Sequence, residues 1–208
     1  MARRAAEHPV VRQRLLDAAR DLMLRDGFTA TGVADICAAA GVTKGSFFHY
    51  FESKDAIGAA ALMSFGADLG AAFAAAAFQS EPDPLRRVEG YIDFTADVCR
   101  SSVLRRGCLV GMLAQELAAS EPSVRKDCDA IFTGWAESFA EHLAAAKAAY
   151  QPDAAFEPRE LASYFIAVVE GALLLAKTTA NPQVVEAHLD HVRTYIHCLL
   201  GQHREVSR

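Results

Sequence analysis

The sequence predicts an all-α fold of about nine helices, and three observations support this prediction. Apolar residues recur at spacings of three and four along most of the 208-residue chain. Alanine, the strongest helix former, is abundant. Proline and glycine stand at the edges of the periodic segments, where helices begin and end. With 52% hydrophobic residues, the chain can build one substantial core, or a small domain fused to a larger one.

Capping and breaking residues predict where the helices begin and end. The first helix runs from about Pro9 to Asp26 and stops at Gly27, a left-handed C-cap. Three hydroxyl side chains are the predicted N-caps of the next three helices, namely Thr31, Thr43 and Ser53. The predicted helices after the first cover about 32–40, 44–51, 54–78, 85–100, 105–119, 122–150, 159–178 and 184–200.

Charge separates an N-terminal region from the rest of the chain. Residues 1–54 hold eight Lys/Arg and six Asp/Glu, whereas residues 55–208 hold thirteen and twenty. The whole chain has a net charge of -5. Only the N-terminal region is therefore expected to meet phosphate groups without electrostatic repulsion.

Composition also excludes several classes of protein. The five cysteines are odd in number and contain no C-x-x-C pair, so we expect a reduced, cytoplasmic chain without disulfides, metal or cofactor. No apolar run approaches the roughly 20 residues needed to cross a bilayer. No apolar signal core follows the N-terminus, so neither export nor a membrane partner is expected.

The stretch 32–51, GVADICAAAGVTKGSFFHYF, says most about function. Two short helical patterns meet at Gly41, whose conformational freedom allows a sharp turn. Three apolar side chains hold these helices against the first one, namely Val33, Ile36 and Val42. Two helices joined by a tight glycine turn form a helix-turn-helix, whose second helix lies in the DNA major groove. We therefore predict a DNA-binding domain over residues 1–52.

The start and outer face of the second helix of this motif are predicted to reach DNA. Lys44, Gly45 and Ser46 lie where side chains and amides approach bases and phosphates, whereas Phe47 and Phe51 are expected to face the core. The complete set of predicted DNA-binding residues is Gly32, Val33, Ala34, Thr43, Lys44, Gly45, Ser46, Phe48, His49, Tyr50 and Lys54.

This segment resembles the TetR family of ligand-responsive repressors. The likeness rests on TGVADICAAAGVTKGSFFHYFESKDAI, in which the glycine turn, the aromatic cluster and the trailing lysine stand at the family spacing. The match covers about residues 9–58, and the order of the helices fits the whole chain. The resemblance implies a ligand-sensing and dimerisation domain over residues 53–208, and a regulator rather than an enzyme. In such a homodimer an inducer changes the separation of two DNA-binding heads, which then leave a palindromic operator.

Two positions depart from the family pattern, and three cations in and before this segment have predicted roles. Phe48 lacks the hydroxyl of the tyrosine often found at its position, and Ala34 offers a base only a methyl group. Lys54, at the start of the fourth helix, is expected to neutralise a phosphate. Arg3 and Arg4 form either a minor-groove arm or a solvated tail.

Apolar stripes on the last two helices have coiled-coil-like spacing. Burial within one chain and dimerisation both explain such stripes. We favour dimerisation because helix-turn-helix proteins commonly bind two-fold operators as dimers. The residues predicted to form the dimer interface are Phe165, Val168, Ala172, Leu189, Val192, Ile196 and Leu199.

The segment RRGCLVGMLAQEL places Cys108 near a helix start, just after Arg105 and Arg106. A helix N-terminus and guanidinium groups both favour the reactive thiolate. The arrangement resembles a TetR branch that senses quinones, aldehydes and maleimide-type compounds through a cysteine beside a lysine. Relatives with the same G-C-L segment instead bind small acids such as acrylate, and a buried, unreactive Cys108 is a further alternative. The residues predicted to sense or contact the inducer are Cys108, Lys177, Cys99, Tyr91, Phe94, Met112 and Trp135.

Two other classes of function are alternatives to this one. Cys108 paired with a histidine would suggest an enzyme, but no catalytic carboxylate pair, phosphate-binding loop or dinucleotide fingerprint accompanies it. His188 and His191 stand three apart, yet no further ligand follows at a suitable spacing for a metal. A DNA-binding dimer that responds to no ligand is the second alternative.

Overall fold

The computed structural model describes residues 2–101, 104 and 106–202, with side chains from residue 10 onward. Over this part of the chain the fold is all-helical, which confirms the predicted class. Arg3, Arg4 and Arg105, to which we assigned roles, lie outside the residues whose side chains are described. The helices are α1 (Ala2–Asp26), α2 (Val33–Ala40), α3 (Lys44–Tyr50), α4 (Lys54–Ala74), α5 (Pro84–Arg100), α6 (Leu109–Leu117), α7 (Pro122–Tyr150), α8 (Pro158–Thr179) and α9 (Gln183–Leu199), with a 3₁₀ turn at Ala77–Ser80.

Three of the predicted caps are confirmed. Gly27 has φ +89° and its N–H donates to the Met23 carbonyl at 2.8 Å, which closes α1 in the left-handed conformation. The Thr43 hydroxyl accepts from the Ser46 N–H at 3.1 Å, at the start of α3. Ser53 caps α4 in the same way, by accepting from the amide three residues later at 3.0 Å.

The prediction that Thr31 caps α2 was wrong. Gly32 is the N-cap, and its N–H donates to the Asp35 carboxylate at 3.0 Å. Thr31 is buried, and its hydroxyl donates instead to the Gly27 carbonyl at 2.7 Å. A short polar side chain that can bond backward stabilises the turn rather than the helix that follows it.

The predicted fourth helix was too long at its C-terminal end. Helix α4 stops at Ala74, and the 3₁₀ turn that follows buries Phe78. The Phe78 ring lies 5.4 Å from the Tyr91 ring, centroid to centroid. Alanine-rich sequence favours continuation of the helix, but burial of this phenyl ring against α5 outweighs the weak local propensity.

The described chain divides into two compact units. The first joins the residues up to Asp68 with Cys108–Ile131, and the second joins Leu69–Gly107 with the residues from Phe132 onward. The domain boundary predicted after residue 52 falls inside the first unit, and that functional division stays a prediction. The first unit therefore holds the helix-turn-helix together with α6 and the start of α7.

The first unit is built around side chains from four helices. Leu15 and Met23 of α1, Ile36 of α2 and Ile57 of α4 are all fully buried. Phe47 of α3 is fully buried as well. These large side chains come from both halves of the helix-turn-helix and from the helices around it, so α3 is held by hydrophobic burial rather than by its own short length.

The core of the second unit is rich in aromatic side chains. Tyr91 of α5 stacks on Phe139 of α7 with ring centroids 4.4 Å apart. The Phe165 ring of α8 lies 4.5 Å from Phe139. A salt bridge at the surface of this unit joins Arg193 of α9 to Asp93 of α5, with 2.5 Å between nitrogen and oxygen.

Two helices contradict the expectation that no segment is long and apolar enough to cross a membrane. Helices α4 and α8 each reach a mean hydropathy of 1.5 over an 18-residue window, and about a third of each window is buried. Both helices meet the criterion for a membrane span by length and composition alone, and core helices of soluble proteins also meet it. Helix α8 therefore carries more exposed apolar surface than the sequence suggested.

Candidate nucleic-acid interface and sensor residues

The turn between α2 and α3 has the geometry that the sequence predicted. Gly41 has φ +64°, and its N–H donates to the Ala38 carbonyl at 3.2 Å. A Cβ on Gly41 would lie 2.8 Å from the Arg14 guanidinium, so both backbone conformation and space favour glycine here. The same guanidinium donates to the Ala40 carbonyl and thereby ties the end of α2 to α1.

Helix α3 has a buried face and an exposed face. Phe47 is 0% exposed and Phe51 is also buried, as predicted. Phe48 is 56% exposed, and Lys44 and His49 are exposed beside it. Tyr50 is half-buried, with its ring 5.1 Å from the His49 ring. The exposed face thus presents one cation, one imidazole and apolar rings.

Small residues line the approach to this exposed face. Gly45 is exposed, and a Cβ placed on it would meet only the Thr43 hydroxyl, at 3.8 Å. No contact with the described residues therefore requires glycine at this position. Ala34 of α2 is exposed, whereas Gly32 and Val33 are half-buried. Ser46 is half-buried and donates its amide to the cap.

Lys54 has a role that the sequence did not indicate. Its ammonium donates to the carbonyls of Phe28 at 3.1 Å and Thr29 at 3.4 Å. The same ammonium lies 4.4 Å above the Phe28 ring. We predicted a side chain directed at phosphate, but Lys54 is half-buried and joins α4 to the turn after α1. Its contribution within the chain is structural.

Cys108 is the N-cap residue of α6, so the prediction of a cysteine at a helix start is confirmed. Its side chain is buried and forms no disulfide. Arg106, two residues earlier, is exposed, and Gly107 between them has φ +114°. The helix N-terminus favours a thiolate, whereas burial opposes one. Met112, one turn into α6, is half-buried.

Cys99 and Lys177 belong to the second unit, whereas Cys108 belongs to the first. Burial, with a smaller contribution from Glu170, raises the pKa of the Cys99 thiol to about 12. A raised pKa keeps the Cys99 thiol neutral near pH 7, and its contact with the inducer stays a prediction. Lys177 is exposed on the last turn of α8.

Tyr91 and Phe94 belong to a larger aromatic cluster of the second unit. Phe73 lies 4.7 Å from Tyr91 and 4.8 Å from Phe94, measured between ring centroids. Phe73, Phe94 and His142 are only half-buried, so the cluster reaches the surface of its unit. The members of this aromatic cluster are Phe73, Phe78, Tyr91, Phe94, Phe139, His142 and Phe165.

Several members of the aromatic cluster were not among the predicted inducer contacts, and one predicted contact, Trp135, is not a member of the cluster. Phe78, His142 and Phe165 are distant in sequence, and no local signal links them. Burial, followed by the charge of Arg87, lowers the pKa of His142, so its imidazole is neutral near pH 7. Trp135, which we expected near the inducer, is half-buried and meets Phe132 edge-on with ring centroids 5.7 Å apart.

Most of the predicted dimer residues face the interior of their own chain. Five of the seven are buried, which corrects their assignment to a surface between subunits: Phe165, Ala172, Leu189, Val192 and Ile196. Val168 and Leu199 are half-buried. A regular apolar spacing identifies an amphipathic face but does not say what covers it, and here the second unit covers it.

The opposite side of α8 and α9 carries exposed apolar residues. Tyr164 and Tyr195 are each 48% exposed, with ring centroids 5.9 Å apart across the two helices. A groove of about 510 Å³ lies beside them, lined also by Phe156 and Glu160. A Cβ on Gly171 would meet nothing within 4 Å. We call this surface the outer face and define it by Tyr164, Ala167, Gly171, Leu174 and Leu175 of α8 with His191 and Tyr195 of α9.

Two of the three histidines of α9 have hydrogen-bonding partners within the chain. His188 bonds through Nδ1 to the Val184 carbonyl at 2.7 Å. His197, which is buried, contacts the Glu89 carboxylate at 2.9 Å. Among the described residues no group of three His, Cys, Asp or Glu side chains is arranged to hold a metal ion.

Comparison with known proteins gives two family matches along the chain. Residues 15–61 match the model for bacterial regulatory proteins of the tetR family. Residues 84–191 match the C-terminal domain of LmrA/YxaF-like transcriptional regulators. Together these matches cover the helix-turn-helix and most of the helices that follow it.

Individual relatives extend over most of the chain. The HTH-type transcriptional repressor DhaR of a Mycobacterium species is 31% identical over 86% of this chain and 88% of its own. A TetR regulatory protein of Rhodobacter sphaeroides has a solved structure with TM-score 0.79 and 28% identity, covering 88% of this chain and 97% of its own. The reduced form of Escherichia coli NemR gives TM-score 0.75 and 28% identity over 89% and 97%. Because differently named repressors match at similar identity, they do not establish a branch of the family.

Proposed function

Since this chain belongs to the TetR family of DNA-binding transcriptional regulators, which are not enzymes, we propose that it represses transcription as a homodimer on a palindromic operator. A small-molecule inducer releases it from that operator. The observation that carries this proposal is the two-sided α3 helix. Its buried Phe47 holds it in the first unit, while Lys44, Phe48 and His49 are exposed to solvent, as contact with a major groove requires.

Lys44→Ala is expected to weaken binding to the operator by about tenfold while leaving the fold intact. The ammonium neutralises a phosphate, so its loss lowers affinity and reduces the salt dependence by about one released counterion. The measurement is fluorescence anisotropy, over a salt series, on a duplex that the wild-type protein selects from a randomised library.

Lys126→Ala is the matched control for this change. Lys126 is an exposed lysine of the same unit, on α7, and its removal deletes the same charge away from α3. It should leave both the affinity and the salt slope nearly unchanged. If Lys44→Ala binds as tightly as wild type at every salt concentration, α3 does not meet DNA through Lys44.

We assign homodimerisation to the outer face. Its exposed apolar residues on α8 and α9 form one continuous surface, because Tyr164 and Tyr195 meet across the two helices. Gly171 leaves room for a partner helix to approach closely, and the groove beside the tyrosines can receive a side chain. A two-fold axis through this face would bring the same residues together from both subunits.

We assign inducer binding to the aromatic cluster of the second unit. Its rings offer stacking and apolar contact, and Phe73, Phe94 and His142 open it to the surface. A neutral imidazole adds one hydrogen-bonding group. The cluster therefore suits an apolar or aromatic compound with one polar group, bound without covalent chemistry.

A second candidate for the sensor is Cys108, and the observation that favours it is its N-cap position on α6. The chemistry needs no oxidant: the sulfur bonds to the β-carbon of an unsaturated carbonyl compound, and the thiol proton ends on the α-carbon. The helix dipole favours the thiolate that starts this addition. Because the side chain is buried, the reagent must be small.

Limited treatment with N-ethylmaleimide is expected to modify Cys108 and release the operator in parallel. Peptide mass spectrometry and anisotropy on the same samples would measure both. Cys99, whose thiol pKa is about 12, should stay unmodified near pH 7. Cys108→Ser should remain on DNA at a dose that releases wild type.

Cys128→Ser is the matched control for the covalent sensor. Cys128 is another buried cysteine of the first unit, and burial raises the pKa of its thiol. Its replacement should leave release by the reagent unchanged. Release of Cys108→Ser at the wild-type dose would refute covalent sensing at this residue and favour the aromatic cluster.

A further inference from the structure

The turn that joins α1 to α2 is held by a carboxylate from far along the chain. Glu116 of α6 accepts hydrogen bonds from the Phe28 N–H at 3.1 Å and the Thr29 N–H at 3.0 Å. A third bond comes from the Thr29 hydroxyl at 3.2 Å. All of these residues belong to the first unit. One carboxylate thus receives three donors from two consecutive residues.

The backbone around Gly27 is shaped to admit this carboxylate. A Cβ on Gly27 would lie 2.8 Å from a Glu116 carboxylate oxygen, so the carboxylate packs directly over the glycine. Gly27 also has φ +89°, the conformation that ends α1, and the next two amides donate to Glu116. Glycine here serves both the C-cap and the close approach of Glu116.

Lys54 holds the same turn through its carbonyl groups. Its ammonium donates hydrogen bonds to the carbonyl oxygens of Phe28 at 3.1 Å and Thr29 at 3.4 Å. The two residues therefore give their N–H groups to an anion of α6 and their C=O groups to a cation of α4. The Phe28 ring is buried below the same ammonium. We call Glu116, Lys54 and residues 27–29 the turn clamp.

We propose that Glu116 is a positioning residue for DNA binding, which sets the placement of the helix-turn-helix against α6 through the turn clamp. Helix α2 begins at Val33, and α3 follows after the Gly41 turn, so movement of residues 27–29 moves the exposed face of α3. The inference rests on the proposed binding of DNA by that face. Glu116 itself contributes no phosphate contact, because it carries a negative charge.

This role differs from phosphate binding in a measurable way. A positioning residue changes the fraction of molecules whose heads are competent to bind, so its loss weakens binding by the same factor at all salt concentrations. Loss of a phosphate contact also lowers the salt slope. Glu116 is exposed, so its replacement leaves the hydrophobic core intact.

The test compares Glu116→Ala, Glu116→Gln and Glu121→Ala with wild type. Hydrogen exchange at the Phe28 and Thr29 amides reports the clamp, and anisotropy over a salt series on the selected duplex reports affinity. Glu116→Ala should speed exchange at both amides and weaken binding at least about fivefold with an unchanged salt slope. Glu116→Gln keeps one carbonyl acceptor, so its amide exchange rates and its DNA affinity should lie between those of wild type and Glu116→Ala. Glu121, an exposed glutamate just after α6, is the matched control and should match wild type.

Two results would overturn the proposal. A third result would instead overturn the proposed DNA binding by α3, on which the proposal rests. If the Glu116→Ala protein is folded, exchanges its Phe28 and Thr29 amides faster and still binds the duplex with wild-type affinity, the turn clamp has only a structural role. Unchanged exchange at both amides would mean that the clamp does not form in solution. Wild-type protein that binds no duplex would overturn DNA binding by α3 first, and this inference with it.

Discussion

Phe47→Ala is expected to abolish operator binding by unfolding the helix-turn-helix. The side chain is 0% exposed, and its ring lies 6.0 Å from the Phe51 ring. Truncation of a buried phenylalanine costs about 3–5 kcal/mol, because apolar contact is lost and a cavity remains. Helix α3 has only seven residues and cannot persist without this packing.

Two spectroscopic signals can locate the damage caused by Phe47→Ala. Urea unfolding followed by far-ultraviolet circular dichroism should show early loss of some helix. The fluorescence of Trp135, the sole tryptophan, reports the second unit and should keep its wild-type midpoint. An equal shift of both signals would mean that the two units unfold together.

Phe48→Ala is the matched control for the stability measurement, because Phe48 itself belongs to the predicted DNA-binding face. It removes the same side chain from the neighbouring position, which is 56% exposed. The Phe48 ring meets the Phe47 ring edge-on at 5.2 Å, so its loss should cost about 1 kcal/mol or less. If the two variants are equally stable, Phe47 is not the anchor of α3.

Leu174→Glu is expected to convert the homodimer into monomers and to weaken operator binding by about 100-fold or more. Leu174 is 54% exposed on the outer face of the single chain. A glutamate there is harmless in a monomer but would be buried without a partner in a dimer. Each half of a palindromic operator would then be bound separately, so the gain from linked heads is lost.

Sedimentation velocity and anisotropy on the selected duplex together test the outer face. Ala148→Glu is the control, because it adds the same charge at an exposed position of α7. It should stay dimeric and bind DNA like wild type. If the Leu174→Glu protein sediments as a dimer like wild type, Leu174 does not lie in the interface and another surface forms the dimer.

Signals that act over a few residues were readable from the sequence. The caps at Gly27, Thr43 and Ser53 were predicted because a helix end needs a specific residue within one turn. The division of α3 into buried Phe47 and exposed Phe48 followed in the same way from helical periodicity. The helix-turn-helix was predictable because its chemistry lies within a single stretch of chain.

Signals that depend on distant residues were not readable. The spacing on α8 and α9 revealed an apolar face, but whether that face meets its own chain or a second copy is not encoded in spacing. The pKa of Cys99 depends on burial by the second unit. Lys54 was predicted to bind phosphate, whereas its ammonium donates to the carbonyls of Phe28 and Thr29, which lie 26 and 25 residues earlier in the chain.

The sequence by itself determined the order of the helices, the glycine turn and the amphipathic character of α3, since each depends on neighbouring residues and on helical geometry. Only the tertiary structure decided which apolar faces are covered, which rings form the aromatic cluster and which carboxylate reaches Phe28 and Thr29. Nothing local distinguishes Glu116 from Glu121, and burial and hydrogen bonding across 87 and 88 residues depend on how the helices pack.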